Sequence, residues 1–175
     1  QSCGFSETVR ERPMRFLLII AAIAALGGSL AGAWWLTQCP CERITGAWLQ
    51  GAEETAPVSD WTFANEAPIC YIEVPGAIPH SVTLNCMADG DGTLYLSCSR
   101  CDGKRWSTIA VATGQARIRI AETVYPVTIA RVIEPAELDR TWAARADKLA
   151  RLRGPAGAPP PRPGHWWSFR LESRG

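Results

Sequence analysis

The chain has 175 residues, 18 basic and 17 acidic side chains, a formal net charge of +1, 15 glycines and 13 prolines. That length suits one domain, and the mixed composition excludes a disordered tail. The near-neutral balance excludes an electrostatic case for DNA or RNA as a partner.

Charge and hydropathy separate at the N-terminus. Arg10, Arg12 and Arg15 precede FLLIIAAIAALGGSLAGAWWL at 16–36, a run with no charged residue. A helix needs about 20 such residues to cross a hydrocarbon core. Trp34 and Trp35 suit the interfacial aromatic belt, and the arginines suit the cytoplasmic side. The expectation is a single-pass protein of a bacterial inner membrane. Residues 1–15 are then cytoplasmic, 16–36 form a transmembrane helix or signal anchor, and the remainder is periplasmic or extracytoplasmic. Two other readings stay open. From Met14 the sequence is that of a signal peptide, with Ala31-Gly32-Ala33 as its cleavage site. LTQC, ending at Cys39, has the outline of a lipoprotein box. All three export the domain.

Residues 37–59 read as a stalk, rich in small residues and without a period, and 60–175 as the folded domain. Short strands follow. ICYIEV at 69–74 lies between prolines, and SVTLNCMA at 81–88 alternates with Val82, Leu84 and Cys86 on one face. ADGDGT is a hairpin turn signal, and 93–98 is the returning strand with Leu94 and Leu96 inward. KRWSTIAVA at 104–112 reads as a short helix. ARIRIA at 116–121 puts Ile118 and Ile120 inward and Arg117 and Arg119 outward. TVYPVTIARVI at 123–133 is long and β-branched, and Pro126 within it implies an edge or a bulge.

Residues 135–153 carry the signals of a helix: proline first, acids early, Lys148, Arg151 and Arg153 late, Gly154 as terminator. Leu138, Trp142, Ala146, Leu149 and Leu152 form its apolar stripe. GPAGAPPPRPG is an extended linker, and HWWSFRLE is the last strand. Mainly β with two helices, the domain is expected to be a closed or half-closed antiparallel barrel, since closure hides the edges of short strands.

Cys39, Cys41, Cys70, Cys86, Cys98 and Cys101 follow the apolar run. An even number in an oxidising compartment points to disulfides, and fifteen pairings are open. C-P-C is tight for a zinc site, and no metal is expected. Asp102 stands where haem attachment at CSRC requires histidine. A redox C-x-x-C opens a helix, whereas this one follows a strand. It is expected to be oxidised, as a structural clip.

Seven motifs in this order resemble one superfamily: DWTF at 60, PHSVT at 79, DGTLYL at 91, KRW at 104, ARIRI at 116, TVYP at 123 and WSFRL at 167. They are similar to the split β-barrel proteins, the pyridoxamine-phosphate-oxidase-like and deazaflavin-dependent nitroreductase-like flavoproteins. The resemblance spans about two thirds of the chain, residues 58–174. It implies a split antiparallel barrel, a homodimer, and FMN or a deazaflavin at the dimer cleft. It also implies cofactor-phosphate contacts at Ser97, Ser99, Arg100, Lys104, Arg105 and Trp106. A basic loop feeding a helix N-terminus is a chemically sound phosphate site. His80, at a strand entrance, is a further candidate contact to cofactor or substrate. No triad, HExxH or Walker loop is visible. Two functions follow. One is a membrane-tethered flavin- or deazaflavin-dependent oxidoreductase. The other is a cofactor-free accessory or binding subunit of an envelope complex, with the barrel as its interaction module.

Overall fold

The computed structural model describes residues 11–38, 40–41, 44–154 and 158–175. Cys39, residues 1–10 and residues 155–157 of the proline-rich linker therefore lie outside it. The elements in order are α1 (Glu11–Gln38), β1 (Ala52–Glu53), a 3₁₀ turn (Thr62–Asn65), β2 (Cys70–Val74), β3 (His80–Ala88) and β4 (Leu94–Ser99). They continue with α2 (Arg105–Thr113), β5 (Gln115–Ile120), β6 (Thr123–Val132), α3 (Pro135–Arg153) and β7 (Trp166–Ser173).

Six strands close a ring. Antiparallel pairs run β2–β3, β3–β4, β4–β7, β7–β6, β6–β5 and β5–β2, while β1 joins β6 in parallel from outside. The mainly β closed antiparallel barrel is thus the architecture of this chain.

Alternation decides which side chains fill it. Ile72 and Val74, Leu94 and Leu96, Ile118 and Ile120, Val127 and Ile129, and Phe169 and Leu171 share one core. Trp106 and Ala110 of α2 enter the same core, with Trp106 packed on Phe169 at 5.1 Å between ring centroids. Gly114 ends α2 at φ 64°, the left-handed conformation that glycine adopts at least cost. A smaller cluster of Met87, Tyr95, Val132, Ala144 and Leu138 holds α3 outside β3 and β4.

Two expectations from the sequence are corrected. Pro126 does not make β6 an edge strand of the ring: β6 pairs with β5 over residues 123–128 and with β7 over residues 127–132. Its other neighbour is β1 up to Val124 and β7 from Val127, so the proline falls where β6 exchanges partners. The apolar stripe of α3 faces the barrel only in part, through Leu138. The residues buried on α3 are Thr141, Ala144 and Lys148. Trp142 turns to the proline-rich segment instead, donating its Nε1–H to Pro160 O at 2.8 Å and packing edge-on against Trp166.

The segment read as a stalk is strapped across the barrel. Gly46 pairs with Ser81 of β3, Leu49 N–H donates to the Glu73 carboxylate of β2, and Arg119 of β5 donates to Gln50 O. Arg117 bridges Glu73 at 3.1 Å and Glu53 of β1 at 2.7 Å. Burial opposes the Arg117 charge, but the two carboxylates outweigh it and raise its pKa.

Among the described residues, one apolar helix is long enough to span a membrane or to serve as a signal sequence. Met14–Gln38 has 25 residues, a mean hydropathy of 2.2 in its best window, and none of that window buried.

Candidate functional site

β3 and β4 point their apolar residues into the barrel, and so must point the alternate ones outward. Asn85 and Ser97 are cross-strand partners. Thr83 and Ser99 continue the same two outward rows toward the C-terminal end of β4. Together they floor a cleft of about 260 Å³, walled by Ile69, Cys98, Lys104 and Trp166.

Two hydroxyls in this floor are anomalous. Ser97 Oγ and Thr83 Oγ1 are buried, and neither has a hydrogen-bond partner among the described residues. A buried hydroxyl left unpaired costs about 1–3 kcal/mol, and natural folds seldom retain such groups without a reason. Lys104 stands over the same floor. Its ammonium donates to Ser99 O at 3.0 Å and lies 3.9 Å from Cys98 Sγ. An ammonium has three donors, so Lys104 keeps capacity for an anion.

The C-x-x-C sets this wall. Cys98 and Cys101 are joined to each other, with Cα atoms 5.6 Å apart. The bond ties the end of β4 to the turn that starts α2, and both residues are buried in the barrel core. Lys104 N–H then donates to Cys101 O, and Ser107 Oγ–H donates to Cys101 O at 2.6 Å. The clip therefore fixes the backbone from which Lys104 projects. A second disulfide joins Cys70 of β2 to Cys86 of β3.

Of the residues the sequence singled out, Ser97, Ser99 and Lys104 come together in this cleft. Arg100 lies in the turn at φ 49° and is not part of the lining. Arg105 begins α2 and is exposed, and Trp106 is a core residue at 3% exposure. His80 is half-buried at the start of β3. Its pKa is lowered by burial and then by the nearby Arg105 charge, which leaves it a neutral base near pH 7. Thr83 and Asn85 were not singled out from the sequence. The signal for them was present, because in an alternating strand whose Val82 and Leu84 go inward, 83 and 85 must go outward.

A second polar cluster lies toward the hairpin end of β3. Lys148 is 4% exposed, and its Nζ donates to Ala64 O at 2.8 Å and Cys86 O at 2.6 Å. Burial pushes its pKa down to about 8, with Glu66 opposing the shift. It forms the back of a cleft of about 360 Å³ that also includes Asp89, Asp91, Arg140 and Asp147. With two carbonyls on its ammonium, Lys148 ties α3 to the barrel. Among the described residues no group of three or more His, Cys, Asp or Glu is placed to hold a metal ion.

No family model and no curated protein matches this sequence. Solved structures do. A candidate pyridoxamine 5'-phosphate oxidase from Listeria innocua is similar at 10% identity and TM-score 0.45, covering 64% of this chain and 88% of its own. A NimC/NimA family protein from Clostridium acetobutylicum gives 12% and 0.45, covering 62% and 76%. The FAD binding protein from Mycobacterium smegmatis gives 13% and 0.40, covering 69% and 100%. The structural neighbours of this chain thus include pyridoxamine-phosphate-oxidase-like, NimC/NimA and FAD-binding proteins.

Proposed function

We propose that this protein is a membrane-tethered split-barrel oxidoreductase that holds a phosphorylated flavin or deazaflavin on the outer face of β3 and β4. The observation that carries this reading is the pair of buried, unpartnered hydroxyls of Thr83 and Ser97 in one cleft beside the Lys104 ammonium. Two hydroxyl donors and one ammonium suit the tetrahedral oxygens of a phosphate monoester. Each hydroxyl then gains the partner it lacks.

When bound, the cofactor supplies the electron or hydride transfer. The protein's own part is positional. Thr83 and Ser97 donate to phosphate oxygens. Lys104, held by the Cys98–Cys101 clip, neutralises charge. Trp166 provides an apolar wall for the tail of the cofactor.

The tether reading is supported by the unburied 25-residue helix and by Arg10, Arg12 and Arg15 before it. The two disulfides suit an oxidising compartment. We place the N-terminus in the cytoplasm and the barrel outside it. One observation favours a second reading, a cofactor-free accessory subunit. A cleft of about 260 Å³ lies below the common range of small-molecule sites, about 300–1,000 Å³.

Titration of FMN and a deazaflavin into the full chain in nanodiscs, followed by fluorescence, separates the two. Binding is expected for the wild type, with a loss of about tenfold or more in Lys104→Glu. Ser97→Ala should weaken binding yet raise unliganded stability by up to about 1 kcal/mol, because it removes an unpaired buried hydroxyl. If neither cofactor binds at tens of micromolar, the oxidoreductase reading falls and the accessory subunit stands.

A further inference from the structure

The two ends of β3 differ in chemistry, and one of them lies against the end of α1. α1 closes with exposed Trp34 and Trp35. The Trp35 Nε1–H donates to Thr45 O at 2.8 Å. Cys41 and Ile44 exchange backbone hydrogen bonds at 3.0 and 2.8 Å, a tight reversal of the chain. Gly46 and Ser81 then exchange theirs at 2.9 and 3.0 Å. The described residues thus connect the end of α1 to residue 45, and residue 46 to the barrel, by hydrogen bonds. A helix of 25 residues is about 37 Å long, against about 30 Å of hydrocarbon, so it leaves the bilayer close to its tryptophans.

The barrel rim beside that point carries an apolar stretch, bordered by His80 and the nearby Arg105. Antiparallel pairing at Gly46–Ser81 carries Trp48 toward Pro79. Ile44, Trp48 and Ile78 expose 58%, 40% and 50% of their surface. Residues 44–50 (ITGAWLQ) and 75–79 (PGAIP) contain no charged side chain. The other end of β3 is the hairpin that carries Asp89 and Asp91. It lies about 26 Å away along a nine-residue strand. A surface that is apolar next to a membrane-spanning helix and acidic at its far end has a preferred orientation on a bilayer.

We infer that the rim formed by Ile44, Trp48 and Ile78 is seated in the membrane–water interface, as a second bilayer contact beside α1. The inference rests on the anchor reading of α1. Its occupant is lipid, because the rim continues the aromatic belt begun by Trp34 and Trp35. Amphipathic Trp48 suits headgroup depth, and Ile44 and Ile78 suit the acyl boundary below it. The barrel is then held at a fixed angle to the membrane rather than swinging on a tether.

Site-specific photocrosslinking in nanodiscs of phosphatidylethanolamine and phosphatidylglycerol tests this on the full chain. Ile78→p-benzoylphenylalanine and, separately, the same replacement at Trp48 probe the rim. Replacement at Leu26, within α1, and at Asp91, at the far hairpin, provide the comparisons. All four positions are exposed, and near-UV circular dichroism checks each fold. Lipid-mass adducts at 26, 48 and 78 with none above background at 91 are expected. Adducts at 26 but not at 48 or 78 overturn the seated rim and leave the anchor standing. No adduct at 26 removes the anchor, and the inference with it. Equal adducts at 78 and 91, or protein adducts in place of lipid at 78, overturn the orientation argued here.

Discussion

Lys148 offers a direct energetic test of how α3 is held. Its ammonium is buried, with two backbone carbonyls as its nearest partners, and burial lowers its pKa from 10.5 to about 8. Below pH 8 both the folded and unfolded chains carry the proton, and folding bears the full cost of burying the charge. Between 8 and 10.5 the unfolded chain binds more protons than the folded one, so stability rises with pH. The whole window is worth about 3 kcal/mol, of which about 2 kcal/mol falls between pH 7 and 9.5. Tyr95 works the other way. Its pKa is raised above 10.0, by burial first and then by Asp89, so its contribution is lost as pH climbs past 10, and measurements belong below that. His80 lies under its ordinary 6.5 and titrates outside the window. The assay is urea unfolding of wild type and Lys148→Met at several values from pH 7 to 9.5. Wild type should gain about 2 kcal/mol relative to the variant across that range. Parallel curves would show that Lys148 is solvated, and would refute its role as a buried tie between α3, β3 and the 3₁₀ turn.

Two further outcomes are expected. Opening a disulfide releases loop entropy in the unfolded chain, by about 3 kcal/mol for Cys70–Cys86 and about 2 kcal/mol for Cys98–Cys101. Paired Cys→Ser variants should show that order in urea midpoints, and only the Cys98/Cys101 pair should also weaken cofactor binding, because it frees the backbone under Lys104. Glu73→Gln removes a buried carboxylate that holds both Leu49 N–H and Arg117. A cost of about 1–3 kcal/mol is expected, with faster limited proteolysis between Gln50 and Glu54; an unchanged cleavage rate would mean that the strap does not depend on this pair.

The barrel was legible in the sequence because period-two alternation is a strong signal. Leu94 and Leu96, Ile118 and Ile120, and Val82 and Leu84 all face the side that their spacing assigns, since a one-residue slip would expose every one of them. The helix at 135–153 was legible in its ends, where proline, acids and bases follow the dipole. Its buried face was not. A stripe of Leu138, Trp142 and Leu149 is the better apolar face by composition, and nothing local says that a proline-rich segment twenty residues on will cover Trp142 and leave a lysine to the barrel. Pro126 misled for a related reason: a proline rule about strand edges applies to one neighbour at a time, and β6 changes neighbours along its length.

The same limit explains what could be read of the cleft. C-x-x-C and the basic turn are contiguous, so their proximity to Ser97 and Ser99 is visible along the chain. Thr83 belongs to another strand, and its place opposite β4 depends on register. That register follows from the ADGDGT turn: counting outward from the hairpin aligns Ala88 with Leu94 and Asn85 with Ser97, which puts 83 and 97 on one outer face. Arg100 and Arg105 share the charge of Lys104 but do not line the cleft: Arg100 sits in the turn at φ 49° and Arg105 opens α2. Of the three basic residues, Lys104 alone lines this cleft, and strand pairing adds Thr83 to it. The cleft that results is chemically narrower than a basic patch: one ammonium and two unpaired hydroxyls, a donor set that would suit a phosphate monoester under the function proposed above.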